Sequence, residues 1–277
     1  MVLHTCRNKI IGNKDGVNMM RVVVIGSGNV AESLAQAVAE SESLELVQLY
    51  ARNEVRGRQV AELAHTEWSN SSLADADLYL ISVSDNAVAA VADSLQVPAN
   101  AVVAHTAGCC PIEALASHTH RAVFYPFQTF SVGRKVDFTK GFIFVEGATE
   151  HALQVVEKAA YALTQRVLPA DSARRAVIHL SGVFACNFAN AMYANAAEVL
   201  AEEGLPFDIV APVIEETAKK AVEVLNPAAT QTGPARRGDT QTLDRHRSML
   251  AHKPQTRDIY DKISEDICER AKISKSY

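Results

Sequence analysis

Met20-Arg-Val-Val-Val-Ile-Gly-Ser-Gly-Asn-Val-Ala-Glu-Ser-Leu-Ala-Gln-Ala-Val38 sets a short apolar run against a glycine-rich turn and then a helical pattern. Residues 22 to 25 are β-branched without a break, as a strand buried on both faces of a parallel sheet requires. Gly26, Gly28 and Ala31 then take the three small positions of a G-x-G-x-x-G/A turn. The first permits the tight turn, the second lets a pyrophosphate approach the backbone, and the third lets the helix lie close to the strand. Free N–H groups at the helix start would receive the phosphate. Gly26, Ser27, Gly28, Asn29, Val30 and Ala31 are thus the expected floor of a dinucleotide site. The competing reading is a bare strand-ending turn. The strand before, the helix over 29–40 and a second strand over 44–51 favour the first.

Working outward, 277 residues with 48% hydrophobic content suffice for one large core or two unequal domains. A net charge of −5 offers no bulk basic surface, so neither nucleic acid nor an anionic membrane is an expected partner. No apolar stretch reaches the length of a membrane span, and the N-terminus lacks a signal-peptide core. Five cysteines include no C-x-x-C pair, so they read as free thiols in a cytoplasmic protein, with no metal site. Residues 1–19 are polar and patternless, and read as a disordered extension or a start placed too far upstream.

The second strand ends at Ala51-Arg52-Asn53, where the cofactor's ribose would lie. An acid there accepts from the 2′-hydroxyl of NAD, whereas arginine suits the 2′-phosphate of NADP. Arg52, Asn53 and Arg56 stand there, with Arg58 close behind, so NADP is the expected cofactor. A solvated basic turn is the plainer alternative.

Strand, polar turn and helix then repeat. A strand over 77–83 leads through Ser82, Val83 and Ser84 into a helix over 87–95. A strand over 101–104 ends in His105-Thr106-Ala107-Gly108, and a helix is expected over 112–117. Ligands of open α/β sheets bind beyond the carboxyl ends of the strands, which adds Ser82, Val83, Ser84, His105, Thr106 and Ala107 to the cofactor residues. His105 has two readings, a proton donor or a structural hydrogen-bonding residue. Further strands are expected over 121–130, 141–146 and 165–168. The alternation stops near Pro169. The expected fold is α/β: a Rossmann-type doubly wound, mostly parallel sheet over 20–170, followed by a smaller all-α domain over 171–277.

The helical part opens with a long alanine-rich helix over 173–203, on which His179, Val183 and Asn187 share a face, with Asn190 a turn further on. Asn187 and Asn190 either meet a substrate or bond to neighbouring helices. Thr232-Gly-Pro-Ala-Arg-Arg-Gly-Asp239 forms a constrained loop on which Arg236 and Arg237 are candidates for holding an anionic substrate or cofactor phosphate, with Thr232 a further substrate candidate; a well-turned surface loop is the plainer reading.

With these residues in hand, the chain resembles the superfamily of pyrroline-5-carboxylate reductase, the deazaflavin-dependent NADP oxidoreductases and the β-hydroxyacid dehydrogenases. Gly26-Ser-Gly-Asn-Val-Ala31, Ala51-Arg-Asn53 and the change of pattern near residue 170 carry the likeness. More narrowly it is similar to a bacterial group of NADP oxidoreductases marked by His105-Thr-Ala-Gly108, Tyr125-Pro-Phe-Gln128, Asn187 and the Thr232–Asp239 motif. The resemblance implies hydride transfer between NADPH and a small carbonyl or imine compound, and a homodimer paired through the helical domain. The catalytic lysine of the β-hydroxyacid dehydrogenases falls at Val183 here, so their acid–base mechanism does not carry over. Asn187 is then the expected orienting residue, and His105 or His179 the expected catalytic proton donor. For an imine, water or the Thr232 hydroxyl is the alternative. A sensor that binds NADP(H) without turnover is the rival expectation, motivated by the missing lysine.

Overall fold

The computed structural model describes residues 19 to 273; apart from Met19, the expected extension over 1–19 lies outside the described residues. Strand β1 (Met20–Ile25) leads into α1 (Asn29–Glu40), β2 (Leu44–Tyr50), α2 (Glu54–Leu63), a two-residue β3 (Trp68–Ser69), β4 (Leu78–Ile81), α3 (Val88–Ser94) and β5 (Val102–His105). After these come β6 (Arg121–Phe127), β7 (Phe142–Gly147), α4 (Glu150–Tyr161) and β8 (Val167–Pro169). One sheet holds all eight strands in the order β3-β2-β1-β4-β5-β6-β7-β8. All neighbours are parallel except β6 and β7, which run antiparallel. The fold is therefore the doubly wound, mostly parallel Rossmann type, followed by a helical region.

Both faces of the sheet are covered, which is why its central strands have no polar alternation. Val22 and Val24 pack with Leu34 of α1, Val60 of α2 and Val156 of α4. Val23 and Ile25 point the other way, to Val88 of α3 and to Leu115. Each buried aliphatic side chain of this kind contributes about 1.5–3 kcal/mol. Pro126 sits past Val123, the last β6 residue paired with β5, where a missing backbone donor costs least.

The helical region comprises α5 (Ser172–Gly182), a π-helical stretch (Val183–Phe188), α6 (Ala189–Glu202), α7 (Ala211–Val224), α8 (Pro234–Arg237), α9 (Thr240–Met249) and α10 (Pro254–Ile273). By packing, the chain separates into two compact units, one up to Cys186 and one from Asn187. Several local expectations need correction. The helix expected over 112–117 is a single 3-10 turn at Ile112–Leu115. The long helix is not uniformly α, because the π stretch interrupts it beside Asn187. The loop expected over 232–239 contains α8, pinned to α10 where the Cys268 thiol donates to the Ala235 carbonyl at 3.0 Å.

Candidate active site

At the end of β1 the backbone of Gly26 has a φ of +125°, and a Cβ there would lie 2.2 Å from the Ser82 carbonyl oxygen. Only glycine lets β1 and the end of β4 run this close. Gly28 caps α1 with nothing within 4 Å of where its Cβ would be, so open space faces the first turn of the helix. Ala31 has no exposed surface and seats α1 on the sheet, while the Asn29 amide donates to the Phe130 carbonyl at 3.3 Å. Ser27 and Val30 complete the turn.

Beyond β2, Arg52 is exposed and makes no ion pair among the described residues. Its neighbours are committed. Asn53 caps α2, accepting from the Arg56 backbone N–H at 3.0 Å, and the Arg56 side chain pairs with Glu32, a largely buried acid in the first turn of α1. That pair neutralises a carboxylate beside the helix N-terminus. Arg58 lies 4.4 Å over the Trp68 ring, whose indole N–H donates to the Ala51 carbonyl at 3.1 Å. An open helix start with an unpaired guanidinium at the rim fits a nucleotide bearing a 2′-phosphate.

Past β4 and β5 the Thr106 hydroxyl donates to Ser82 Oγ at 3.2 Å, binding the two strand ends together. Val83 and Ser84 follow, the latter at the start of a 3-10 turn. His105 has no exposed surface. Its Nδ1 accepts from the Ala107 N–H at 3.2 Å, and its Nε2 has no hydrogen-bond partner among the described residues. Burial, followed by the Arg175 guanidinium, holds this imidazole down to about 4, against a weaker opposing pull from the Pro111 carbonyl. His105 is thus neutral at neutral pH.

His179 lies elsewhere. Its Nδ1 is 3.1 Å from the Tyr125 hydroxyl, and its ring rests on Gly108, where a Cβ would come within 2.4 Å of Nδ1. Gly108 follows β5 by three residues, so the imidazole stands at the carboxyl end of the sheet. Arg175, one turn earlier on α5, fixes the helix: it donates to Glu146 Oε2 and to the Cys110 carbonyl, both at 2.5 Å. Sequence reasoning missed Tyr125, Arg175 and Glu146 as parts of this arrangement. Tyr125 was visible within the Tyr125-Pro-Phe-Gln128 segment, whereas Arg175 beside exposed Arg174 carries no local mark.

In the second unit, Asn187 and Asn190 are exposed, Asn187 within the π stretch. Asp239 caps α9 by accepting from the Thr242 N–H at 3.1 Å, and Arg237 lies 3.9 Å from Asp239. Thr232 lies on the wall of a mainly apolar cavity of about 600 Å³, with Met192, Leu243 and Tyr260. Arg236 is half-buried on α8.

A parallel sheet with a glycine-bearing turn, an open helix start and titratable groups past its strand ends defines a nucleotide-dependent enzyme of the Rossmann class. Residues 21–108 match the family described as NADP oxidoreductase, coenzyme F420-dependent, and residues 142–267 match a domain of unknown function, DUF2520. The putative NADP oxidoreductase BF3122 of Bacteroides fragilis is 38% identical over 91% of this chain and 98% of its own, with a TM-score of 0.86. The chain belongs to this NADP oxidoreductase family, and its cofactor is NADP. The Thermotoga maritima protein TM1727 (20% identical, 92% of this chain and 99% of that, TM-score 0.68) shares the fold. So does a reductive aminase of Aspergillus terreus in complex with NADPH and ethyl levulinate (12% identical, 93% and 95%, TM-score 0.69). No curated protein matches the chain. Among the described residues no helix is long and apolar enough to cross a membrane.

Proposed function

We propose that this oxidoreductase reduces a small carbonyl or imine compound with NADPH. The observation that carries the reading is that the carboxyl end of the sheet holds both an open α1 start, rimmed by unpaired Arg52, and a half-buried imidazole past β5. The first suits NADPH and the second suits protonation of the atom left when the adjacent carbon is reduced. Bound NADPH supplies the hydride.

The residues then divide their tasks. Gly26, Ser27, Gly28, Asn29, Val30 and Ala31 receive the pyrophosphate, with Arg52 on the 2′-phosphate and Asn53 and Arg56 shaping the rim. Ser82, Val83, Ser84, Thr106 and Ala107 border the nicotinamide half. His105, with no exposed surface, supports the Ala107 backbone, and proton donation goes to His179. Asn187 orients the substrate's polar atom, and Asn190, Thr232, Arg236 and Arg237 are assigned to the rest of the substrate.

We place two copies together through the helical part. Neither α6 nor α7 has a buried residue, and Val199, Val213 and Val222 on them are exposed, as a face that meets a second copy requires. Sedimentation showing monomer alone would remove this assignment. Cys109, Cys110, Cys186 and Cys268 are free thiols, in keeping with work in the cytoplasm.

The test is a titration with NADPH and NADH followed by a screen of ketones, imines and hydroxyacids for cofactor oxidation or reduction. Tight NADPH binding with saturable oxidation by a ketone or imine is the expected result. NADPH binding with no turnover by any compound would replace the enzyme with a sensor.

A further inference from the structure

We infer that His179 delivers its proton to the substrate from Nε2, and that Tyr125 is the positioning residue that makes Nε2 the exchanging nitrogen. This rests on the reduction proposed above and names the group within it that moves the proton.

Tyr125 is rigidly held. It extends β6 beyond the end of β5, its ring stacks on Phe144 at 6.4 Å and meets Phe127 edge-on at 6.1 Å, and its side chain is buried. Burial, with Cys109 and Asp85 adding to it and Arg175 opposing, pushes the phenol up to about 12, so the hydroxyl stays neutral. Those are the charged and titratable groups that act on the Tyr125 hydroxyl: Arg175 from α5, Cys109 after β5 and Asp85 after β4.

On the other side, the ring of His179 lies against the backbone of Gly108, which leaves it no room to shift toward the sheet. Its Nδ1 is therefore committed to the Tyr125 oxygen. Nε2 makes no hydrogen bond among the described residues, and the ring is only partly buried. In the tautomer this inference assigns, Nδ1–H donates to the phenol oxygen 3.1 Å away, and that bond is the same whether Nε2 carries a proton or not. Tyr125 thus fixes which nitrogen exchanges, the role an orienting partner plays for a catalytic histidine.

The step balances. The substrate carbon takes the hydride supplied by NADPH, the π bond of C=O or C=N breaks, and its electron pair moves to oxygen or nitrogen. That atom takes the Nε2 proton, the imidazolium becomes imidazole, and water reprotonates it. His105 does not compete, because its Nδ1 is occupied by Ala107 and its ring is sealed from solvent.

Two measurements test the assignment. In the intact protein without cofactor, nitrogen NMR of labelled histidine reads which ring nitrogen of neutral His179 is protonated. Wild type is expected to carry the proton on Nδ1 and Tyr125→Phe on Nε2; a wild-type ring protonated on Nε2 overturns the proposal. In single turnovers at saturating NADPH, His179→Gln is expected to lose about 100-fold or more, the scale of general acid catalysis. Tyr125→Phe should lose about 10-fold and move the alkaline limb of the pH profile, with NADPH affinity unchanged, as a positioning group within acid catalysis would. Folded variants that both keep the wild-type rate and pH profile overturn the proton assignment and leave the reductase standing. A wild type that oxidises no NADPH with any screened compound overturns both.

Discussion

The guanidinium of Arg175 has no exposed surface and donates at 2.5 Å to Oε2 of Glu146, a carboxylate at the far end of β7. It also holds the Cys110 carbonyl, while the Ser172 hydroxyl reaches the same carboxylate at 3.1 Å and accepts from the Ile112 N–H at 3.2 Å. The start of α5 is thereby fastened both to the sheet and to the turn that carries Gly108. The seat of His179 depends on that fastening.

Arg175→Met leaves the partly exposed Glu146 carboxylate without its ion pair, so it should cost up to about 3–5 kcal/mol, the scale for breaking a buried pair. Thermal melting should show the loss, and Arg175→Met with Glu146→Leu should regain much of it, because the double change leaves no unpaired carboxylate. A double variant no more stable than the single would show that the pair is not what fastens α5.

The two glycines of the first turn should fail differently when changed to alanine. Gly26→Ala places a methyl 2.2 Å from the Ser82 carbonyl at positive φ, and should destabilise the fold by about 2 kcal/mol or more. Gly28→Ala has open space and a φ of −77°, so it should fold normally yet bind NADPH at least about tenfold more weakly, the new methyl standing where the pyrophosphate approaches. Melting curves and binding titrations separate the two outcomes.

Arg52→Ala should weaken NADPH by about 1.5–3 kcal/mol, the range for a charge-assisted hydrogen bond, and leave NADH binding unchanged. Trp68 bonds the carbonyl of Ala51 and so reports the titration from the adjacent residue. Equal losses for both nucleotides would detach Arg52 from the 2′-phosphate.

His105 makes stability depend on pH. Its ordinary value is 6.5 and the fold lowers it to about 4, first through burial and then through Arg175. Between these values the unfolded chain binds more protons than the folded one. The contribution is therefore complete above pH of about 6.5 and is lost as pH falls toward about 4, at about 1.4 kcal/mol per unit. Urea midpoints at neutral and mildly acid pH should fall less in His105→Asn than in wild type. Equal slopes would mean that another group sets the acid limb.

The glycine turn, the parallel alternation and the basic end of β2 were legible because each is written within a few consecutive residues. The two-residue β3 was not, since Trp68 and Ser69 pair with Leu49 and Tyr50 through the backbone and look like part of a polar connection. The antiparallel setting of β7 was equally hidden, because its residues alternate no differently from those of a parallel neighbour. On the long helix, reading Asn187 by a constant 3.6-residue period overlooked the wider π turns, which nothing in Val183-Phe-Ala-Cys-Asn-Phe188 announces. The Tyr125 and His179 contact joins residues 54 apart, and only the folded chain shows that Gly108 is small because an imidazole lies on it.

The strand order has a consequence for how the protein is made. β2 is laid beside β1 and β3 beside β2; β4 then takes the free side of β1, and β5 to β8 each join the outer edge left by the strand before. No strand is ever inserted between two already paired. A chain leaving the ribosome N-terminus first can close the sheet strand by strand as it emerges, without reopening a finished ladder.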